Sequence, residues 1–85
     1  HTPGHQSVLV NLPKTGHMLF TGDACYTGDH WCDKCLPGLA SSSSDAAESV
    51  KKLRRVAKEH DAKVVWGHDP VSWLDWKKAP MFYYD

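Results

Sequence analysis

Hydrophobic positions first gather at residues 6–11 (Gln-Ser-Val-Leu-Val-Asn), a short run that predicts a mostly buried strand. Leu12-Pro13-Lys14-Thr15-Gly16 breaks that run, with Pro and Gly in the roles turns give them. His17-Met18-Leu19-Phe20-Thr21-Gly22 reads as a second strand, so the opening stretch predicts a β-hairpin. From residue 23 to residue 42 no period survives. Gly28, Pro37 and Gly38 punctuate the stretch and serines close it. A loop of that length inside a compact domain is usually functional or disordered. A helix N-cap is expected in the serine run, at Ser43 or Ser44.

The clearest helix covers residues 45–60. Ala46, Val50, Leu53, Ala57 and His60 recur at helical spacing and draw one apolar stripe. Asp45 and Glu48 near its start and Lys58 and His60 near its end suit the helix dipole. Lys63-Val64-Val65-Trp66 predicts a short buried strand that stops at Gly67-His68-Asp69-Pro70. The tail over 71–85 is rich in aromatic residues and shows no period. The order strand, strand, loop, helix, strand, tail is α/β material with too few elements to cover both faces of a sheet.

Composition sharpens this picture. Eighty-five residues allow one small domain with a modest buried fraction. Ten basic and ten acidic side chains give a formal net charge of zero, without the basic excess of a nucleic-acid footprint. Lys51, Lys52, Arg54 and Arg55 are read as the solvated face of the helix. No apolar run approaches the roughly 18 residues of a membrane span. The start His1-Thr2-Pro3-Gly4 has no signal-peptide pattern and no initiator methionine, so the chain is expected to be a fragment of something longer. Three cysteines without a secretion signal favour reduced thiols and a cytoplasmic location. Four tryptophans in so short a chain suggest apolar surface that expects a cover.

Three polar residues stand at the ends of predicted strands: His5 before the first, Asp23 after the second, His68 after the third. Strand termini along one edge are where α/β sheets place their sites. Imidazole and carboxylate are ligands for borderline or hard divalent metals. Taken singly, each residue also has a structural reading, as a solvated or turn-forming side chain. Together they would suit a site completed by ligands from elsewhere.

Thr2-Pro3-Gly4-His5-Gln6-Ser7, Gly22-Asp23-Ala24-Cys25-Tyr26 and Gly67-His68-Asp69 resemble, in that order, the second half of the metallo-β-lactamase superfamily. The more detailed resemblance is to its N-acyl-homoserine lactonases, and it extends to Ser49-Val50-Lys51-Lys52-Leu53 in the helix. It implies half of an αββα sandwich: one edge of a mixed sheet, one covering helix, and an open face that needs the missing N-terminal half. It implies His5 as a ligand of one metal, Asp23 as the carboxylate bridging two, and His68 as a ligand of the second. Tyr26 resembles the lactonase tyrosine whose hydroxyl approaches the substrate carbonyl, where a phenol can donate to developing oxygen charge. The implied reaction is the opening of a lactone ring by water activated at a two-metal centre, most simply zinc. Asp23 and Tyr26 would carry the chemistry, and Tyr26, Trp31 and Leu36 would meet substrate.

The superfamily's His-x-His-x-Asp-His motif, which holds the other four ligands, is absent from this chain. The segment alone is therefore expected to be inactive. Glyoxalase-type thioester hydrolysis is the competing enzymatic reading, and a purely structural fragment is another. Cys32-Asp33-Lys34-Cys35, with Cys25 and His30, writes a Cys₃His zinc alternative or a redox pair, and otherwise a pair of loop thiols. Trp31, Leu36 and Leu39 read as an acyl pocket or as loop packing. His17 is expected to be exposed, His30 to be a loop residue and His60 a helix-end residue. His1 is not expected to be a ligand. Asp69 either orients His68 or caps the next turn. Trp73, Trp76, Phe82 and Tyr83 read as tail packing, or as a surface for a homodimer or for substrate.

Overall fold

The structure, a computed structural model, describes residues 1–32, 43–76, 78 and 84–85. The hairpin forms as the pattern predicts, one or two residues out of register with it: β1 is Val8–Leu12 and β2 is Gly16–Gly22. They pair antiparallel from Val8 opposite Phe20 to Leu12 opposite Gly16. Pro13, Lys14 and Thr15 make the loop, and Gly16 takes φ +87°, the left-handed position that three-residue hairpin loops place beside a bulge. β1 is less buried than predicted. It lies at the sheet edge, and Val8 is 53% exposed.

The stretch after β2 is not wholly irregular. A single turn of helix, α1, covers Gly28–Trp31 and is capped by Thr27. Residues 33–42, including Cys35, Leu36 and Leu39, lie outside the described residues. Helix α2, Ser43–His60, begins before the predicted start, so Ser43 and Ser44 are already helical and neither is the N-cap. The predicted stripe is sound along most of its length: Ala46, Val50 and Ala57 are buried. His60 is exposed, yet its ring packs 4.9 Å from that of His17, which is therefore half-buried rather than exposed. The helix ends with Asp61 at φ +49° and the Ala62 N–H donating to Ala57 O at 2.9 Å, a Schellman-type closure built without glycine.

β3, Lys63–Trp66, forms where predicted but is only partly covered. It pairs parallel to β2, so the sheet is mixed, in the order β1-β2-β3. Parallel strands need a long crossover, and α2 supplies it while packing against β2. A last turn of helix, α3 (Pro70–Trp73), stands where the tail had shown no period. Among the described residues no helix is long and apolar enough to cross a membrane.

The core is thin and sits mainly on the helix side. Among the described residues it consists of Met18, Leu19, Ala24, Cys25, Ala46, Val50 and Ala57, with Thr21 and His30 as buried polar members. On the opposite face Val10, Phe20 and Val65 meet Trp73, Trp76 and Tyr84 around a cavity of about 290 Å³. Phe20 and Trp73 remain 41% and 54% exposed there, so that face is incompletely covered by the described residues.

Candidate metal centre

Topology gathers the predicted ligands. β2 and β3 run parallel and end at one edge of the sheet; β1 runs antiparallel to β2 and begins at that same edge. His5 precedes β1, Asp23 follows β2 and His68 follows β3, so all three reach it.

Asp23 is the hub. Its Oδ1 lies 2.7 Å from His68 Nε2, and its Oδ2 lies 3.7 Å from His1 Nε2. Its backbone N–H donates to His5 Nε2 at 2.9 Å, which leaves the proton of a neutral His5 on Nδ1. The His1 and His5 rings meet edge to face at 5.8 Å, so His1 stands in the group from which sequence reasoning had left it out. His1 and His5 also line a cavity of about 440 Å³ that runs to Ser49 and Lys52 of α2.

Imidazole and carboxylate side by side are suitable chemistry for a borderline divalent cation. The fit is to part of a site. Among the described residues no group of three or more His, Cys, Asp or Glu side chains is arranged to hold an ion, and His5 directs its Nε2 to the Asp23 amide. The Cys₃His alternative fares no better. Cys35 lies outside the described residues, and Cys25 is fully buried with its Sγ donating to Thr27 O.

Close backbone packing sets the loops that carry these groups. Gly22 has φ +58°, and a Cβ there would come within 2.8 Å of His5 Nε2. A Cβ at Gly67 would overlap the Gly22 carbonyl, so the β3 exit can lie against the β2 exit only with glycine at position 67. Thr21, fully buried, donates from Oγ1 to Cys25 O at 2.8 Å, and Ser7 Oγ donates to Thr21 O at 2.8 Å. The Gly67 N–H donates to Cys25 O and the His68 N–H to Tyr26 O at 2.9 Å, zipping the two loops together.

Tyr26 lies against this group, its ring centroid 4.6 Å from that of His68. Asp69 proves to be a cap: its Oδ1 accepts the Val71 and Ser72 N–H groups at the start of α3. Its Oδ2 accepts the Gly28 N–H at 3.0 Å, tying α3 to α1. These donors, Gly28 foremost and then Ser72, hold the carboxyl below its ordinary pKa against a smaller opposing effect of burial. Trp31 packs its ring 6.3 Å from that of Trp66, and its carbonyl accepts from Arg54 Nη1 at 2.9 Å. Leu36, the other predicted pocket residue, lies outside the described residues.

The model of the metallo-beta-lactamase superfamily matches residues 1–68. The chain belongs to that superfamily. An N-acyl homoserine lactonase, AttM, of Rhizobium radiobacter is 57% identical over 83 residues, 98% of this chain and 32% of that protein. The N-acyl homoserine lactonase AiiA of Bacillus thuringiensis subsp. kurstaki is 35% identical over 69 residues, 81% of this chain and 27% of that one. Among solved structures, an N-acyl homoserine lactone hydrolase with N-hexanoyl-L-homoserine bound at its catalytic metal center superposes with TM-score 0.87 at 30% identity, covering 100% of this chain and 33% of its own. This superfamily segment thus spans about a third of the length of the relatives it matches. The fold expectation, an α/β portion of the metallo-β-lactamase architecture with a mixed sheet and a covering helix, is met.

Sequence reasoning missed Thr21 and took His30 only as a loop residue or a Cys₃His ligand; both are buried polar residues. His30 had been expected in a loop, yet it is 2% exposed and its Nδ1 accepts the Tyr26 N–H. The one available signal was Thr27 three residues before His30, a capping residue ahead of a turn too short to show a period.

Proposed function

We propose that this segment forms one side of the active site of a metal-dependent hydrolase that opens N-acyl-homoserine lactone rings. The observation that carries the reading is the convergence of the Asp23 carboxylate, the His68 imidazole and the Tyr26 ring at one sheet edge. The relatives named above are N-acyl homoserine lactonases, which supports a lactone over the thioester of the glyoxalase-type reading.

In this reading His5, Asp23 and His68 hold two divalent ions, most simply zinc, together with ligands from a part of the protein outside this segment. Bound there, such ions would supply a water of lowered pKa and polarise the substrate carbonyl. Asp23 has two carboxylate oxygens turned to different imidazoles, Oδ1 to His68 and Oδ2 to His1, and so can face two positions at once. His5 must release the Asp23 amide to turn its Nε2 to an ion. Tyr26, packed on His68, directs a phenol donor to oxygen charge that develops on the carbonyl. The thiols of Cys25 and Cys32, neither in a disulfide, fit a cytoplasmic setting.

The test compares the full-length protein carrying this segment with the segment alone. Elemental analysis and acid release from an N-acyl-homoserine lactone are measured on both. Two metals and ring opening in the full-length protein, with both lost in the segment, support the reading. A full-length protein that loads metal and hydrolyses thioesters but leaves lactones intact refutes it.

A further inference from the structure

The geometry points to His30 as the positioning residue for Tyr26, a role that rests on the reading of Tyr26 given above. His30 is 2% exposed. An imidazole is costly to bury unless its polar atoms are engaged, so its burial calls for a specific task. Its Nδ1 accepts the backbone N–H of Tyr26 at 3.1 Å, and the two rings meet edge to face at 6.3 Å and 89°. On its other side Tyr26 accepts the His68 N–H at its carbonyl and packs its ring on that of His68. Tyr26 is thereby clamped between a buried imidazole and one of the candidate metal ligands.

The clamp is built locally. Thr27 Oγ1 accepts the His30 N–H at 3.2 Å, and Thr27 O accepts the Trp31 N–H at 2.9 Å. That one turn brings His30 back under the amide of Tyr26, four residues earlier. A four-residue helix has no stability of its own, because its nucleation cost is not repaid. It is held from outside, by Asp69 Oδ2 on the Gly28 N–H and by Arg54 Nη1 on the Trp31 carbonyl. Two other elements thus fix α1, α1 fixes His30, and His30 fixes the backbone from which the Tyr26 phenol projects.

Accepting at Nδ1 requires a neutral ring with its proton on Nε2. The required feature is an acceptor atom two bonds from Cβ. Asn carries Oδ1 at that place; Gln carries its oxygen one bond farther out, and Leu has none. Shifting a reacting group by about 1 Å can cost up to ~10²-fold in rate, so a loosened Tyr26 should act on kcat more than on binding.

The experiment uses the full-length protein carrying this segment, with three readouts. Ring-opening kinetics should show kcat lowered roughly tenfold in His30→Leu, with KM and metal content close to wild type, and largely restored in His30→Asn. Amide exchange at Tyr26 should be fast in His30→Leu and slow in His30→Asn. In a Tyr26→Phe background His30→Leu should bring no further loss of kcat. The same fractional loss in both backgrounds, or an unchanged Tyr26 amide in His30→Leu, would overturn the assignment. If Tyr26→Phe alone leaves kcat intact, the donor role of Tyr26 falls; the amide readout then still decides whether His30 holds the Tyr26 backbone. Should His30→Leu fail to fold, His30→Gln against His30→Asn makes the same comparison, with protection expected only in Asn.

Discussion

His68 Nε2 and Asp23 Oδ1 lie 2.7 Å apart although 45 residues separate them in the chain. Each sits just beyond the end of a strand, and those two strands are parallel neighbours, so the distance is set by the sheet rather than by either loop. The contact is exposed, with the His68 side chain 59% and the Asp23 side chain 42% accessible. A side-chain contact this exposed contributes little to stability, on the order of 0–1 kcal/mol even for a charged pair. The pair therefore does little to hold the fold together.

The first prediction follows from that pair. In the full-length protein, Asp23→Ala should lower the content of both metals, because its two oxygens face different imidazoles. His68→Ala should lower the content of one. Both should reduce ring opening by more than the roughly 10–100-fold typical of losing an outer-shell partner. Elemental analysis of dialysed protein checks the stoichiometry, and acid-release kinetics check the rate. Metal retained at wild-type level in Asp23→Ala would place the ligands elsewhere.

A second prediction concerns Asp69, whose carboxylate joins the two short helices behind the site. Asp69→Ala removes the acceptor for the Gly28, Val71 and Ser72 N–H groups. Exchange at the Gly28 amide should accelerate by about fivefold, as expected when a hydrogen bond of order 1 kcal/mol is lost. The Val71 amide should accelerate less, because its bond to Asp69 is exposed to water whereas that of Gly28 is part-buried. Hydrogen-exchange NMR reads both positions. An unchanged Gly28 amide would mean that α1 is held without Asp69.

How far the sequence discloses this arrangement depends on the scale of each signal. Pro13 and Gly16 mark the hairpin, and the run Lys63–Trp66 is a strand at the residues predicted, because turn chemistry and apolar runs are local. The strand ends also disclose where His5, Asp23 and His68 stand. Burial is less local. β1 reads as buried from its valines, but its edge position, a property of strand order, leaves Val8 exposed. α1 and α3, at four residues each, are too short for helical periodicity to register. His30 looked like any loop histidine because its burial comes from contacts made after the chain has folded back. The tie between Asp69 and Gly28 spans 41 residues, and no pattern in the chain announces it.

A third prediction tests the helix end. Asp61 holds φ +49°, a left-handed region that Asp and Asn adopt more readily than other side chains but that glycine enters without steric cost. The Ala62 N–H still closes on Ala57 O, so the turn geometry is already that of a glycine cap. Asp61→Gly should stabilise the protein by about 0.5–1 kcal/mol, the strain relieved exceeding the extra chain entropy lost. Asp61→Val should destabilise it by at least as much, since a β-branched side chain is poorly tolerated there. Urea denaturation midpoints of the full-length protein decide. A lower midpoint for Asp61→Gly would mean that the Asp side chain itself contributes to the cap.

The last prediction joins fold to site through Gly67. A Cβ at this position would overlap the carbonyl of Gly22, at the register shift where β2 and β3 end together. The neighbour is backbone, so it cannot give way by a side-chain rotation. Gly67→Ala must push the β3 exit away from the β2 exit, at a cost of about 1–3 kcal/mol typical of overpacking. The displaced loop carries His68, and its opposite number carries Asp23, so the 2.7 Å contact opens by the same movement. Metal affinity should therefore fall together with stability. Gly4→Ala, whose Cβ meets no atom of this segment, should leave stability unchanged and serves as the control for that readout. Chelator competition and thermal denaturation on the two variants read the two effects. Loss of stability in Gly67→Ala with unaltered metal affinity would show that the spacing of the strand exits does not govern the site.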